Sequence, residues 1–170
     1  MNALDFALKD VAAPLRETGG NNRSPRIDTI NRFVGNPIGA PYCAAGLSWC
    51  LHAAGAEGFP FSGGSQFIRA WFEERGLLSW SADDLLKWRG ALFGWSNGDG
   101  HGHIGFVAKR FQSDGKVLTI GTAEYNTDKA GSRDGEGAYA LTRSLSGPHR
   151  LWFLDVSGFT GGDWWPKASE

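Results

Sequence analysis

The chain has 170 residues, too few for two domains that each bury a sizeable core, so a single domain over 1–156 with a tail at 157–170 is expected. A hydrophobic share of 41% and a charged share of 21% exclude an intrinsically disordered chain. The 17 Lys and Arg against 18 Asp and Glu give a formal charge of −1, which excludes nucleic-acid binding by phosphate neutralisation and polybasic attraction to anionic membranes.

The first residues have no basic n-region and no long apolar run, so no secretory signal is read there and synthesis in the cytoplasm is expected. Leu4, Leu8, Val11 and Leu15 recur at helical spacing, with Asn2 and Asp5 as a capping pair and Pro14 as the stop. Ser24 and Pro25 open a second helix that carries Ile27, Ile30 and Val34. From Phe33 to Ala56 there is no charged side chain, a length that could span a bilayer. Asn36, Pro37, Pro41, Ser48 and His52 interrupt it, so it reads as a buried loop and a third helix from about Tyr42 to Ala54, with no membrane insertion. A fourth helix runs from Ser65 to Gly76, and a short fifth starts at Ser81 with Asp84 in capping-box position. The period then changes. Ala91–Trp95, His103–Arg110, Lys116–Thr122, Ala138–Ser144 and Arg150–Val156 read as strands separated by Gly-rich turns. Helices first and strands second predict an α+β fold, with the N-terminal helices packed on an antiparallel β-sheet.

Cys43 and Cys50 lie seven residues apart on the third helix, on one face and about 10.5 Å apart along its axis. A disulfide needs Cα atoms within about 7 Å, so the two do not pair. Cys43 stands at the helix start, where the dipole favours a thiolate and free backbone N–H groups can bind an oxyanion. Cys50, among Leu47, Leu51 and Ala54, reads as a small core residue.

A nucleophilic thiol needs a base. His52 falls on the opposite helix face, and His149 follows Gly147-Pro148 in a turn. His103 opens an apolar strand after a Gly-rich loop, with His101 in the loop itself. One hairpin later, Glu124 and Asn126 share a face if that strand continues. Either could orient the imidazole, and Asn126 could instead position a substrate. Tyr42, Trp49, Trp95 and Tyr125 are aromatic candidates for a substrate groove.

The segment Asn36-Pro37 to Pro41-Tyr42-Cys43-Ala44-Ala45-Gly46-Leu47-Ser48-Trp49-Cys50-Leu51 resembles the nucleophile helix of CHAP domains (cysteine- and histidine-dependent amidohydrolases/peptidases) and their NlpC-like relatives. Gly102-His103-Ile104-Gly105 resembles that family's histidine segment, and Glu124-Tyr125-Asn126 its Glu-x-Asn segment. The resemblance covers about Phe33 to Val156. It implies a papain-like fold and a peptidoglycan hydrolase, an amidase or endopeptidase cleaving amide bonds of cell-wall stem peptides through a cysteine thioester. It further implies Cys43 as nucleophile, His103 as base, Glu124 as its orienting partner and Asn126 as an assisting group. Tyr42, Asn36, Trp95 and Tyr125 are the expected substrate contacts, with Tyr42 or Asn36 as second oxyanion donor. No cofactor or metal is expected. The family's Gly-Asp pair ahead of the histidine strand is replaced here by Arg89-Gly90-Ala91, and the loop before His103 is long and adds Asp99 and His101.

Two rival readings accompany this one. A zinc-dependent hydrolase would use Asp99, His101 and His103. A non-catalytic wall- or glycan-binding module would use the eight Trp, Trp164-Trp165 among them. A wall hydrolase without a signal must reach the wall by lysis-linked release or injection. That points to a phage endolysin or an antibacterial effector, partnered by a holin or by secretion machinery and an immunity protein, and with no nucleic-acid partner.

Overall fold

A computed structural model describes residues 1–166; the last four residues of the expected tail, 167–170, lie outside the described residues. Four helices are followed by a six-stranded sheet. The helices are α1 (Ala3–Ala12), α2 (Pro25–Phe33), α3 (Cys43–Ala53) and α4 (Ser65–Glu74). The strands are β1 (Leu78–Ser79), β2 (Ala91–Ser96), β3 (Gly102–Ser113), β4 (Lys116–Thr127), β5 (Gly137–Ser144) and β6 (Trp152–Asp155). Every pairing is antiparallel, in the order β1-β6-β2-β3-β4-β5. The α+β architecture expected from the sequence is the one observed.

Local chemistry sets the helix starts. The Asn2 side chain accepts from the Asp5 N–H at 3.0 Å while Asp5 Oδ2 accepts from the Asn2 N–H at 2.9 Å, the reciprocal capping box. Ser24 Oγ accepts from the Ile27 N–H at 3.1 Å, and Pro25 occupies the first helical position. α1 buries Ala3, Leu4 and Ala7 and leaves Leu8 38% exposed, so its inner face differs from the leucine stripe of the sequence reading. Two alanines let α1 lie close against α3, and a leucine there would hold the helices apart. The expected fifth helix is a 3-10 turn at Ala82–Leu86. Asp84 does not close a capping box, because its carboxylate accepts from Ser79 Oγ at 2.6 Å and from Lys87 Nζ at 2.7 Å instead. β1, two residues long, carries no sequence signal.

The charge-free stretch is a loop leading into α3, the central helix. Eight of its eleven residues, from Cys43 to Leu51, are buried. No helix among the described residues is long and apolar enough to cross a membrane. Gly46 permits the closest approach of α3 to the sheet: a Cβ there would sit 2.4 Å from the Tyr125 ring.

Strand alternation divides the apolar residues into two clusters. Leu92, Ile104, Phe106, Ala123 and Leu154 meet the helices. Phe93, Trp95, Val107, Ile120 and Phe153 form a second cluster on the opposite face, joined by Leu85 of the 3-10 turn. The start of the tail, read as irregular, is without helix or strand and is tied to the sheet. The Trp164 and Trp165 N–H groups donate to the Arg89 carbonyl at 2.8 and 2.7 Å. Their indoles donate to the Val107 and Ala108 carbonyls at 2.9 and 3.3 Å. The indole N–H groups of this Trp pair are thus spent on the fold.

Candidate active site

The loop before α3 is held by amides. Asn31, buried on α2, donates to the Ala40 carbonyl at 2.9 Å and accepts from Asn36 Nδ2 at 3.2 Å. That clamp delivers Pro41 and Tyr42 to the start of α3. Cys43 is therefore the first helical residue and stands in the wall of a cavity of about 480 Å³. The first-turn N–H groups of a helix have no intrahelical acceptor, so the cavity meets donors as well as a thiol.

His103 enters from β3, one residue past the strand's start, opposite Trp95 of β2 in the register. Its ring is fully buried and lies 4.8 Å from the Trp95 ring. One face of the imidazole is thus packed and its orientation fixed. The Nε2 atom is 2.8 Å from Glu124 Oε2. Nδ1 has no partner at full hydrogen-bond geometry, and the Cys43 thiol is the group in contact with the ring there. Burial works to lower the His103 pKa. Contact with the Cys43 thiol, then with the Glu124 carboxylate, outweighs it and pushes the ring up to about 9. Both partners thus favour the charged form of the ring.

Glu124 stands on β4 with no exposed surface. Gly105 makes room for it, since a Cβ at 105 would come within 2.9 Å of Glu124 Cγ. Burial works to raise its pKa, but Arg143 and then His103 overcome that and hold it at about 2. Arg143, on β5, grips the carboxylate with both arms: Nε donates to Oε1 at 2.7 Å and Nη2 to Oε2 at 2.6 Å. With His103, Thr122 Oγ1 makes a fourth donor, at 2.5 Å.

Asn126 follows on the same strand, within a register shift between Glu124 and Thr127. Its backbone is left-handed, φ 55°, a conformation that Asn adopts more readily than most residues. The side chain is buried, donates to the Arg133 carbonyl at 3.1 Å, and keeps Oδ1 without a partner in the cavity wall.

The structure thus brings Cys43, His103, Glu124 and Asn126 together from α3, β3 and β4. The expected substrate contacts separate. Asn36 lines the cavity. Tyr42 is fully buried with its hydroxyl 3.5 Å from Glu17 Oε1, and Tyr125 is buried against Gly46, its hydroxyl donating to Asp10 at 2.6 Å; neither is in the cavity wall. Trp95 lies behind His103 and stacks on His149 at 4.5 Å. His101 lines the cavity mouth from an exposed loop, its Nδ1 3.4 Å from Asp99. Among the described residues, no three His, Cys, Asp or Glu side chains converge as a metal-ligand set.

Four residues went unseen in the sequence: Arg143, Gln66, Arg133 and Asp134. The last three line the cavity. Gln66 bridges α4 to β2, donating to the Trp95 carbonyl at 3.2 Å and accepting from Ser96 Oγ. None follows a local pattern. Only the pairing of β4 with β5, which sets Arg143 across from Ile120, carries a signal for Arg143.

No curated protein and no solved structure matches the chain. The CHAP domain family model matches residues 35–126, more than half of the chain. The matched span runs from the loop before Cys43 through β3 to Asn126 and so holds the whole Cys, His, Glu and Asn constellation. The chain belongs to the CHAP domain family, a family of peptidoglycan-acting hydrolases.

Proposed function

We propose that the protein cleaves amide bonds of peptidoglycan stem peptides, as an amidase or endopeptidase, with Cys43 as nucleophile. One observation carries the reading. The buried His103 ring is tied at Nε2 to Glu124 and keeps Nδ1 free of other partners, beside the Cys43 thiol.

In the proposed reaction the Cys43 thiolate, paired with the His103 imidazolium, attacks the scissile carbonyl carbon. The oxyanion forms against the Cys43 backbone N–H. Asn36 supplies a second donor, because its amide lines the cavity and spends only one N–H on Asn31. The Nδ1 proton of His103 passes to the leaving amine, the C–N bond breaks, and a thioester remains on Cys43. Neutral His103 then takes a proton from water, which attacks the thioester and releases the acid and the thiolate. Asn126 assists from the cavity wall. The substrate reaches the site after lysis-linked release or injection of the protein.

Loss of turbidity from purified cell walls, compared between the wild type and Cys43→Ala, tests the reading. The wild type should clear the suspension and the variant should not. Equal clearing by both overturns the nucleophile. Mass spectrometry of the released muropeptides identifies the bond.

A further inference from the structure

A carboxylate in the protein interior needs compensation, and Glu124 has more than charge balance requires. Arg143 comes from the far strand of the sheet, with 16% of its side chain exposed. It meets both carboxylate oxygens in a fork-to-fork pair, so Oε2, the atom that accepts from His103, is also the atom nearest to an Arg143 nitrogen. The guanidinium is itself fixed. Nη2 also donates to the Gly131 carbonyl at 3.2 Å, and the group lies over the Trp95 ring at 4.8 Å. Trp95 packs against both His103 and His149. Arg143 therefore closes a ring of contacts through Glu124, His103 and Trp95, and none of Arg143, Glu124 and Trp95 lines the cavity. It stands outside the span matched by the family model.

We propose that Arg143 is a positioning residue, whose fork locks the Glu124 carboxylate in the orientation that holds His103 Nε2 and leaves Nδ1 turned toward Cys43. The inference rests on the Cys43–His103 reading above. The charged groups around the pair are few. Glu124 is faced by His103 from β3 and Arg143 from β5, and on its own strand it meets the neutral Thr122. His103 is faced by Cys43 from α3 and Glu124 from β4, with His149 stacked on Trp95. Removing the fork leaves a buried carboxylate that protonates as the pH falls. Its hold on the imidazolium then weakens, and with it the hold on the thiolate.

Alkylation of Cys43 by iodoacetamide, followed by intact mass from pH 4 to 9, reads this without any wall substrate. The set comprises the wild type, Arg143→Lys, Arg143→Met, Glu124→Gln and the Glu124→Gln/Arg143→Met double variant, each checked for near-ultraviolet circular dichroism. The double variant removes the carboxylate and the guanidinium together, so neither is left buried without the other, and it keeps the test alive if Arg143→Met fails to fold. In the wild type, rapid alkylation should persist into the acid range. In Arg143→Met the acid limb should move up by at least one pH unit, with about tenfold slower alkylation near pH 6. Arg143→Lys should fall between the two. In the Glu124→Gln background, Arg143→Met should add nothing.

An Arg143→Met or Arg143→Lys profile that superimposes on the wild type overturns the proposal. So does an equal and independent loss in the double variant. A wild-type profile like that of an ordinary thiol overturns the Cys43–His103 pair itself, and the proposal with it.

Discussion

Cys43 and Cys50 sit on one helix and have opposite surroundings. Cys43 opens into the cavity, whereas Cys50 is fully buried and its thiol lies 3.0 Å from the Tyr125 hydroxyl. That hydroxyl gives its proton to Asp10, so it accepts from Cys50; burial pushes the Cys50 thiol up to about 12. Alkylation of the native protein should therefore modify Cys43 alone, with Cys50 reacting only after unfolding, as peptide mass mapping would show. Cys50→Ala should keep wall-hydrolysing activity and cost about 1–2 kcal/mol in urea denaturation. Glu124→Gln, in contrast, should keep the binding groove and lose about a hundredfold or more in turnover, because His103 loses its charged anchor. Such a loss alongside an unchanged KM would mark Glu124 as acting on the reaction and not on substrate binding.

At the scale of elements, α3 reaches the sheet only because position 46 has no side chain. Gly46→Ala should push the helix off the Tyr125 ring, cost about 1–3 kcal/mol, and move Cys43 relative to His103. A melting temperature several degrees lower, together with reduced activity, is the expected result. The helices and the central strands were legible in the sequence wherever punctuation was local. Ser24-Pro25, the Asn2–Asp5 pair and the Gly-rich turns each place a boundary to within a few residues. Cys43 and His103 were legible for the same reason, since each stands at the end of a regular element. Elements set by tertiary contact were not. β4 continues five residues past the expected end, from Thr122 to Thr127, because β5 pairs with it there. Leu8 faces solvent because α3 selects the alanine side of α1. Arg143 was invisible because its partner is 19 residues away across a hairpin whose register only the folded sheet defines.

The whole molecule joins a helical layer and a sheet whose far face carries a second core, and the tail ties the two at their margin. The Ala3 N–H donates to the Gly161 carbonyl at 2.9 Å, so the first helix and the tail brace each other. Trp164→Ala should cost about 2 kcal/mol of stability and leave wall hydrolysis intact, since its indole touches Phe106 and the Val107 carbonyl and not the cavity. Stability should also depend on pH at both ends. His103 is raised in the fold from 6.5 to about 9, so its contribution is full below about 6.5 and is lost as the pH rises through 9. Glu124 is lowered from 4.5 to about 2, so its contribution is present above about 4.5 and is lost as the pH falls through 2. Urea midpoints across the pH range check both limbs, and Cys43→Ala should shrink the alkaline one, because the thiol is the chief group that raises His103. The central claim is that Cys43 breaks amide bonds of the wall. It is met most directly by quantifying new amino groups released from purified sacculi by the wild type and by Cys43→Ala. The account predicts amines that accumulate with the wild type and stay at background with the variant. Equal release by the variant would contradict it.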